Sequence, residues 1–440
     1  MQGKKQMSEL VAFGSRHIGR GIARMSEIAW ERGEGSWMHS ADGKKYLDFT
    51  CGIGVTNLGH CHPKITKAAQ HQCGQVVHAQ CNVGYHGPQL QLMEKLLPVM
   101  PHKSLDTFLF VNSGSEAVES AIKLARHSTK KQNVVVMQGG FHGRTIATAS
   151  MTRSKTIYSA GFGPMMSGVF TTPFPYEYHY NLSRAAQGNK SDDACADEAL
   201  WQLRLLLKQQ TAPSDTAAII LEPVLGEGGY VPAPKKYMQG LRKICDEHKI
   251  LLIIDEVQSG FGRTGTYFAI EQYDVRPDIL VMAKGIANGF PLAGIVSRKE
   301  IMDSQTPGSM GGTYSGNAVA CAAAVACADV MREEKILQNV KARGDQMRAG
   351  LERIRKDSNV GPLIGDVRGL GLMLGLEFAR TAPTGISSRV QQNCIRNGLL
   401  ILTTSVFETL RFIPPLTISD EEMSHGLEIF EKSLHEAATM

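Results

Sequence analysis

The chain has 440 residues, 42% of them hydrophobic and 20% charged, enough to bury a large core in two lobes with the balance of a globular enzyme. Its 47 basic and 42 acidic residues leave a net charge of +5 with no long basic run, which argues against a nucleic-acid partner. No apolar stretch is long enough to span a bilayer, so no membrane partner is expected.

The start, Met1 to Gln6, lacks the apolar core of a secretory signal. Arg16, Arg20 and Arg24 are spaced like one helix face, as in a mitochondrial presequence, but Glu9 and Glu27 run against that reading. The expected location is the cytoplasm, with the mitochondrion left open. Nine scattered cysteines without a C-x-x-C suit free thiols in a reducing compartment. His60, Cys61 and His62 are too close in sequence to converge easily on one ion, so they are read as structural and no metal is expected.

Residues 28 to 60 read as short strands separated by turns at Glu34-Gly35-Ser36 and Ala41-Asp42-Gly43-Lys44, the second of them a hairpin signal. From about 64 the pattern alternates between helix and strand. Strands are expected at Phe108 to Val111, Val134 to Met137, Ala218 to Leu221, Leu251 to Ile254, Ile279 to Met282 and Ala293 to Val296. After the first, Val118, Ala121, Ile122 and Ala125 recur at helical spacing, and Ser113 with Glu116 fits a capping box. Tyr237, Leu241, Ile244 and Cys245 mark another helix. Apolar strands alternating with helices indicate a mostly parallel sheet covered on both faces.

Residues 172 to 216 are less regular. The tyrosines at 176, 178 and 180, followed by the polar run Gln187 to Asp193, read as a surface excursion before a helix around Leu200 to Leu207. An alanine-rich helix follows Gly316, another helix covers 335 to 356, and short strands lie between Gly365 and Phe378. A last helix starts at Ser419, with Glu422 completing a capping box and Met423, Leu427, Phe430 and Leu434 on its apolar face. The expected division is 1–60, joined to a smaller lobe; 61–325, a large domain; and 326–440, the rest of the smaller lobe.

Chemistry concentrates where strands end. Lys284 follows the apolar run Ile279 to Ala283, where burial lowers an amine's pKa and makes it a nucleophile. Asp255 ends the run Ile250 to Ile254, and a buried carboxylate needs a cationic or hydrogen-bonding partner. A Schiff-base lysine paired with an acid at the ring nitrogen is the requirement of pyridoxal 5′-phosphate. Ser113, Gly114 and Ser115 open a helix after a strand, which favours a phosphate. Thr313, after Gly311-Gly312, offers a further hydroxyl. Phe141, His142 and Arg144 lie in a glycine-rich loop after Met137, placing an aromatic face and a carboxylate-binding guanidinium near the cofactor. Glu222 and Glu227 occupy another glycine-rich turn, and Arg411 is a candidate partner distant in sequence. There is no G-x-G-x-x-G after the first strands and no Walker-type loop.

Together these residues resemble the class III (omega) aminotransferases, pyridoxal-phosphate enzymes of fold type I, from about residue 16 to the end. The motifs that carry the resemblance are Asn112 to Ala117, Phe141 to Thr145, Glu222-Pro223 with Gly226 to Gly228, Asp255 to Gln258 with Gly262 to Gly265, and Lys284. The resemblance implies a large, mostly parallel-sheet domain and a smaller α+β domain built from both termini. It implies that Lys284 bonds the cofactor and shuttles a proton, Asp255 pairs with the ring nitrogen, Gln258 reaches the ring hydroxyl and Phe141 stacks on the ring with His142 beside it. Ser113, Gly114 and Ser115 would cradle the phosphate, and Thr313 would complete the neighbouring site of a homodimer. The pattern looks most like the 4-aminobutyrate aminotransferases. Arg144 would then hold the distal carboxylate, with Ile53 and Glu222 also at the substrate. Glu227 would mask Arg411 for an omega-amino donor and release it for the alpha-carboxylate of glutamate. Ornithine aminotransferases carry a tyrosine near Ile53, and its absence argues against ornithine. The expected reaction passes an amino group from an omega-amino acid to 2-oxoglutarate, giving an aldehyde and glutamate. Alternatives are an acetylornithine-type or specialised amine or keto-acid aminotransferase, or a decarboxylase or aminomutase on the same scaffold.

Overall fold

The centre of the molecule is a seven-stranded sheet whose sequence order follows from which residues must be buried on both faces. In a computed structural model that describes residues 7–184 and 193–439, the strands lie in the order Thr107–Val111, Ala293–Ser297, Ile279–Met282, Leu251–Asp255, Thr216–Leu221, Asn133–Met137 and Val169–Thr172. All are parallel except Ala293–Ser297, which runs against both of its neighbours. Side chains alternate across a strand. Ile219, Leu221, Leu252, Ile254, Leu280 and Met282 enter one apolar core, while Ala218, Ile220, Ile253, Ile279 and Val281 enter the other. Helices cover both faces, so these strands read as continuous apolar runs.

A separate apolar core gathers Leu47, Phe49, Leu58 and Ile65 from the N-terminal region with residues from Ala323 to Ala437. Strand Lys45–Asp48 pairs in parallel with Leu399–Leu400, so the first sixty residues share a sheet with the C-terminal part. A four-stranded antiparallel sheet there includes Met373–Phe378 and Thr409–Phe412. The last helix, Asp420–Ala438, is capped by Ser419 and Glu422 and buries Met423, Leu427, Phe430 and Leu434. Each such side chain contributes roughly 1.5–3 kcal/mol.

Three expectations are corrected. Helix Met7–His17 stops before Arg20 and Arg24, so the three arginines share no helical face. Gly19 and Gly21 are the local cause. Second, the described part of the segment after 172, up to Arg184, is regular rather than irregular. Strand Val169–Thr172 closes one edge of the sheet, helix Glu177–Arg184 follows, and the Tyr176 phenol donates to Glu377 Oε2 at 2.5 Å. Third, the next helix begins at Ala194 rather than near Leu200. Residues 187–192 of the polar run, and Met1 to Gln6, lie outside the described residues. Among the described residues, no helix is long and apolar enough to cross a membrane, and no His, Cys, Asp and Glu group could hold a metal ion. His60 instead bonds Asp48 at 2.8 Å.

Candidate active site

Five parallel strands end on the same edge of the large sheet, and each delivers residues singled out from the sequence. In an open α/β sheet the crevice outside the carboxyl ends of the strands is where ligands bind. A cavity of about 530 Å³ lies there. All the expected site residues line it except Thr313 and Arg411.

Strand Thr107–Val111 leads into Ser113, the N-cap of helix Gly114–Thr129. Ser113 Oγ accepts from the Glu116 N–H, and Glu116 returns bonds to the Ser113 and Asn112 N–H groups. The next amides, at the positive end of a sixteen-residue helix, are left facing the cavity. A Cβ on Gly114 would meet the Val257 methyls at 3.2 and 3.3 Å, so glycine keeps that approach open.

Strand Leu251–Asp255 ends in a carboxylate that is 3% exposed. Asp255 Oδ2 lies 2.8 Å from His142 Nδ1, and Oδ1 accepts from the Val257 N–H at 3.1 Å. Glu222, just past strand Thr216–Leu221, turns toward backbone: it accepts from the Phe141 N–H at 2.8 Å and the Gly226 N–H at 2.9 Å. Burial pushes its pKa up to about 7, with His142 opposing and Asp255 adding to the rise. Its carboxylate thereby fixes the Phe141 loop against the Glu227 loop.

Lys284 sits two residues beyond strand Ile279–Met282 with a left-handed φ of 51°, a strained value for a side chain of this size. Its surroundings are dry enough that burial pushes its pKa down to about 8, although Glu227 favours the charged form. At neutral pH about a tenth of this amine is therefore unprotonated, far more than for an ordinary lysine.

Two arginines flank the cavity in different states. Arg411, on strand Thr409–Phe412, is buried and donates to Glu227 Oε1 at 2.5 Å. Burial works against the Glu227 charge, but the guanidinium more than offsets it and holds the carboxyl below its usual pKa. Arg144 is exposed, forms no ion pair among the described residues, and lies 5.7 Å from the Phe141 ring centroid and 5.3 Å from that of Tyr158. Ile53 reaches the same cavity from the N-terminal region, with φ of 66°. Thr313 is exposed on a loop outside its own cavity.

Sequence reasoning passed over Tyr158, Lys155 and Tyr230. Lys155 is half-buried, its pKa lowered by burial, and it feels Glu227 and Arg411. The signal available was its spacing from Arg144 on the far side of the short helix Ile146–Met151, which is too weak to use alone.

The family model for class-III aminotransferases matches residues 20–434. The chain is 42% identical to a 5-aminovalerate aminotransferase of Pseudomonas putida, over 96% of each chain. It is 39% identical to a 4-aminobutyrate aminotransferase of Escherichia coli, over 98% of each. Its fold matches the ornithine aminotransferase of Toxoplasma gondii, described with PLP at its active site, with a TM-score of 0.85 at 27% identity, covering 99% of this chain and 96% of that one.

Proposed function

The chain belongs to the class-III aminotransferases, pyridoxal-phosphate enzymes of fold type I, and we propose that this member passes the amino group of a four- or five-carbon omega-amino acid to 2-oxoglutarate. The observation that carries the substrate reading is the contrast between its arginines: Arg411 is covered by Glu227, whereas Arg144 is open. A donor with one distal carboxylate and none at its reacting carbon needs that arrangement. The names of the relatives support both chain lengths, 4-aminobutyrate being the first choice and 5-aminovalerate one methylene longer. One methylene is worth only about 1–3 kcal/mol of discrimination in an apolar pocket.

The residues present fit the cofactor. The open helix N-terminus at Gly114 and Ser115 suits its phosphate, Asp255 suits its ring nitrogen, Gln258 its ring hydroxyl and Phe141 its ring face. When bound, pyridoxal phosphate supplies an electron sink at the donor carbon. With the cofactor in place, Lys284 Nζ would be the group that takes the proton from that carbon, a role its lowered pKa suits. His142 holds the Asp255 carboxylate in place from below. Arg144 grips the distal carboxylate, aligned by its stacking on Phe141 and Tyr158. With glutamate or 2-oxoglutarate, Glu227 swings off and Arg411 takes the alpha-carboxylate, so the buried guanidinium is not left alone.

The same reading takes 1–60 and 326–440 as one small domain and 61–325 as the large one, which the partition of the apolar cores supports. It makes the enzyme a homodimer in which Thr313 completes the neighbouring site, in keeping with the exposure of that loop. A cytoplasmic location agrees with nine free cysteines. The test is the visible spectrum of the purified protein, before and after an omega-amino acid is added without keto acid. A cofactor band bleached by 4-aminobutyrate or 5-aminovalerate is expected. A band that neither bleaches would refute the donor class, and a protein that never takes up the cofactor would refute the reading of Lys284.

A further inference from the structure

Tyr230 is completely buried, yet it carries a hydroxyl into the interior. It closes the Glu227-Gly228-Gly229 turn with a left-handed φ of 55°. That backbone turns the ring inward beneath the cavity, where Oη donates to Gln258 Oε1 at 2.7 Å. The Arg411 guanidinium lies beside the same ring, 5.9 Å from its centroid. One phenol thus stands between Arg411, which pairs with Glu227, and Gln258, which lines the cavity.

An amide has one accepting end and one donating end. With Oε1 engaged by the phenol, the orientation of Gln258 is set and Nε2 is left as a donor. A Cβ on Gly226 would come within 2.9 Å of Nε2, so glycine there leaves the donor its room. We propose that Tyr230 is a positioning residue: it locks the Gln258 amide so that an N–H, and not a carbonyl, faces the cofactor ring oxygen. The inference rests on the proposed reading that Gln258 serves the ring hydroxyl. A reversed amide would set its oxygen against a phenolate oxygen, a repulsive contact, so the lock has a direct consequence for holding the cofactor.

Tyr230→Phe removes one oxygen and keeps the ring beside Arg411. In the holoenzyme, cofactor release, followed by loss of visible absorbance on dilution into phosphate buffer, should be about fivefold faster, the equivalent of one neutral hydrogen bond. The pH midpoint of the visible band should move by about half a unit or more. The phenol oxygen also hydrogen-bonds the Arg411 guanidinium, so the KM for 2-oxoglutarate should rise as well, through a contact that does not involve Gln258. Gln258→Ala should release the cofactor at least as fast, and adding Tyr230→Phe to it should not speed release further, as expected for two groups acting through one contact. Release and band midpoint equal to wild type would overturn the inference, and so would equal effects of Tyr230→Phe on release with and without Gln258. A wild-type protein without a cofactor band would overturn the proposed function instead.

Discussion

Exchanging Glu227 for glutamine isolates the charge that covers Arg411. The Glu227 and Arg411 side chains are 11% and 6% exposed and meet at 2.5 Å, so water does little to screen them. Glutamine keeps the shape and one acceptor oxygen but not the charge. Opposite charges about 4 Å apart at an effective dielectric of about 20 attract by about 4 kcal/mol, an upper bound for what is lost. A charge-assisted hydrogen bond exceeds a neutral one by about 1 kcal/mol, which is the lower bound. An omega-amino donor has no carboxylate to offer Arg411, so the pair stands in the free enzyme and throughout that reaction alike, and its kcat/KM should change little. Glutamate must displace Glu227 from Arg411 in the wild-type protein, so removing the charge should raise its kcat/KM by the energy of the pair. The ratio of kcat/KM for the omega-amino donor to that for glutamate should therefore fall between about fivefold and a thousandfold. The assay is single-turnover visible spectroscopy of each half-reaction separately. A ratio unchanged within about twofold, or an equal fall in both, would refute the assignment of Glu227 as the cover of Arg411.

The amine of Lys284 reacts as the free base, and its pKa is pushed down to about 8 from 10.5. Uptake of pyridoxal phosphate by the cofactor-free protein should accordingly rise with pH and level off above about 8; a midpoint near about 10 would mean the amine is not desolvated. Because the folded value is the lower one, the unfolded chain holds the extra proton between about 8 and 10.5, so this group adds stability as pH rises through that window. The thermal midpoint of the cofactor-free protein, followed across those pH values against Lys284→Met, measures that contribution. Arg144→Ala should raise KM for omega-amino acids about 10- to 100-fold through the loss of a charged contact, with a simple monoamine donor unaffected. Similar losses for both donors would remove its role as carboxylate clamp.

Local rules made much of this fold legible. The capping boxes at Ser113 and Ser419 and the doubly buried strands follow from residues close in sequence. Lys284, Asp255 and the phosphate loop were legible for the same reason: each stands at the end of such a strand. The segment after 172 was not. Its order comes from Glu377, two hundred residues later, which accepts from Tyr176, lies 2.7 Å from His179 and pairs with Arg368 at 2.8 Å. Phe407 then stacks on His179 at 3.8 Å. No window of sequence contains that cluster. The strand Val169–Thr172 escaped because it is short, sits at the sheet edge and carries two threonines.

One buried cation ties together the walls around the cavity. Arg263 is fully buried and forms no ion pair among the described residues. Its guanidinium is covered by oxygens: the carbonyls of Leu372 and Pro414, at 3.1 and 2.5 Å, and the Asn57 amide oxygen at 2.9 Å. A buried cation is tolerable only when such groups surround it. With Arg263, which follows the Gln258 loop, those partners join four chain segments: Asn57 lies four residues past Ile53, Pro414 three past Arg411, and Leu372 just before strand Met373–Phe378. The arginine thus binds the wall carrying Ile53 and Arg411 to the loop that serves the cofactor. Ile53 and Arg411, expected at the substrate, sit on chain from the two terminal regions, whereas Arg144, Glu222 and Glu227 share the strand ends of the large sheet with the groups expected to hold the cofactor. A change at Ile53 is therefore expected to alter the donor side of the cavity while leaving those strand ends untouched.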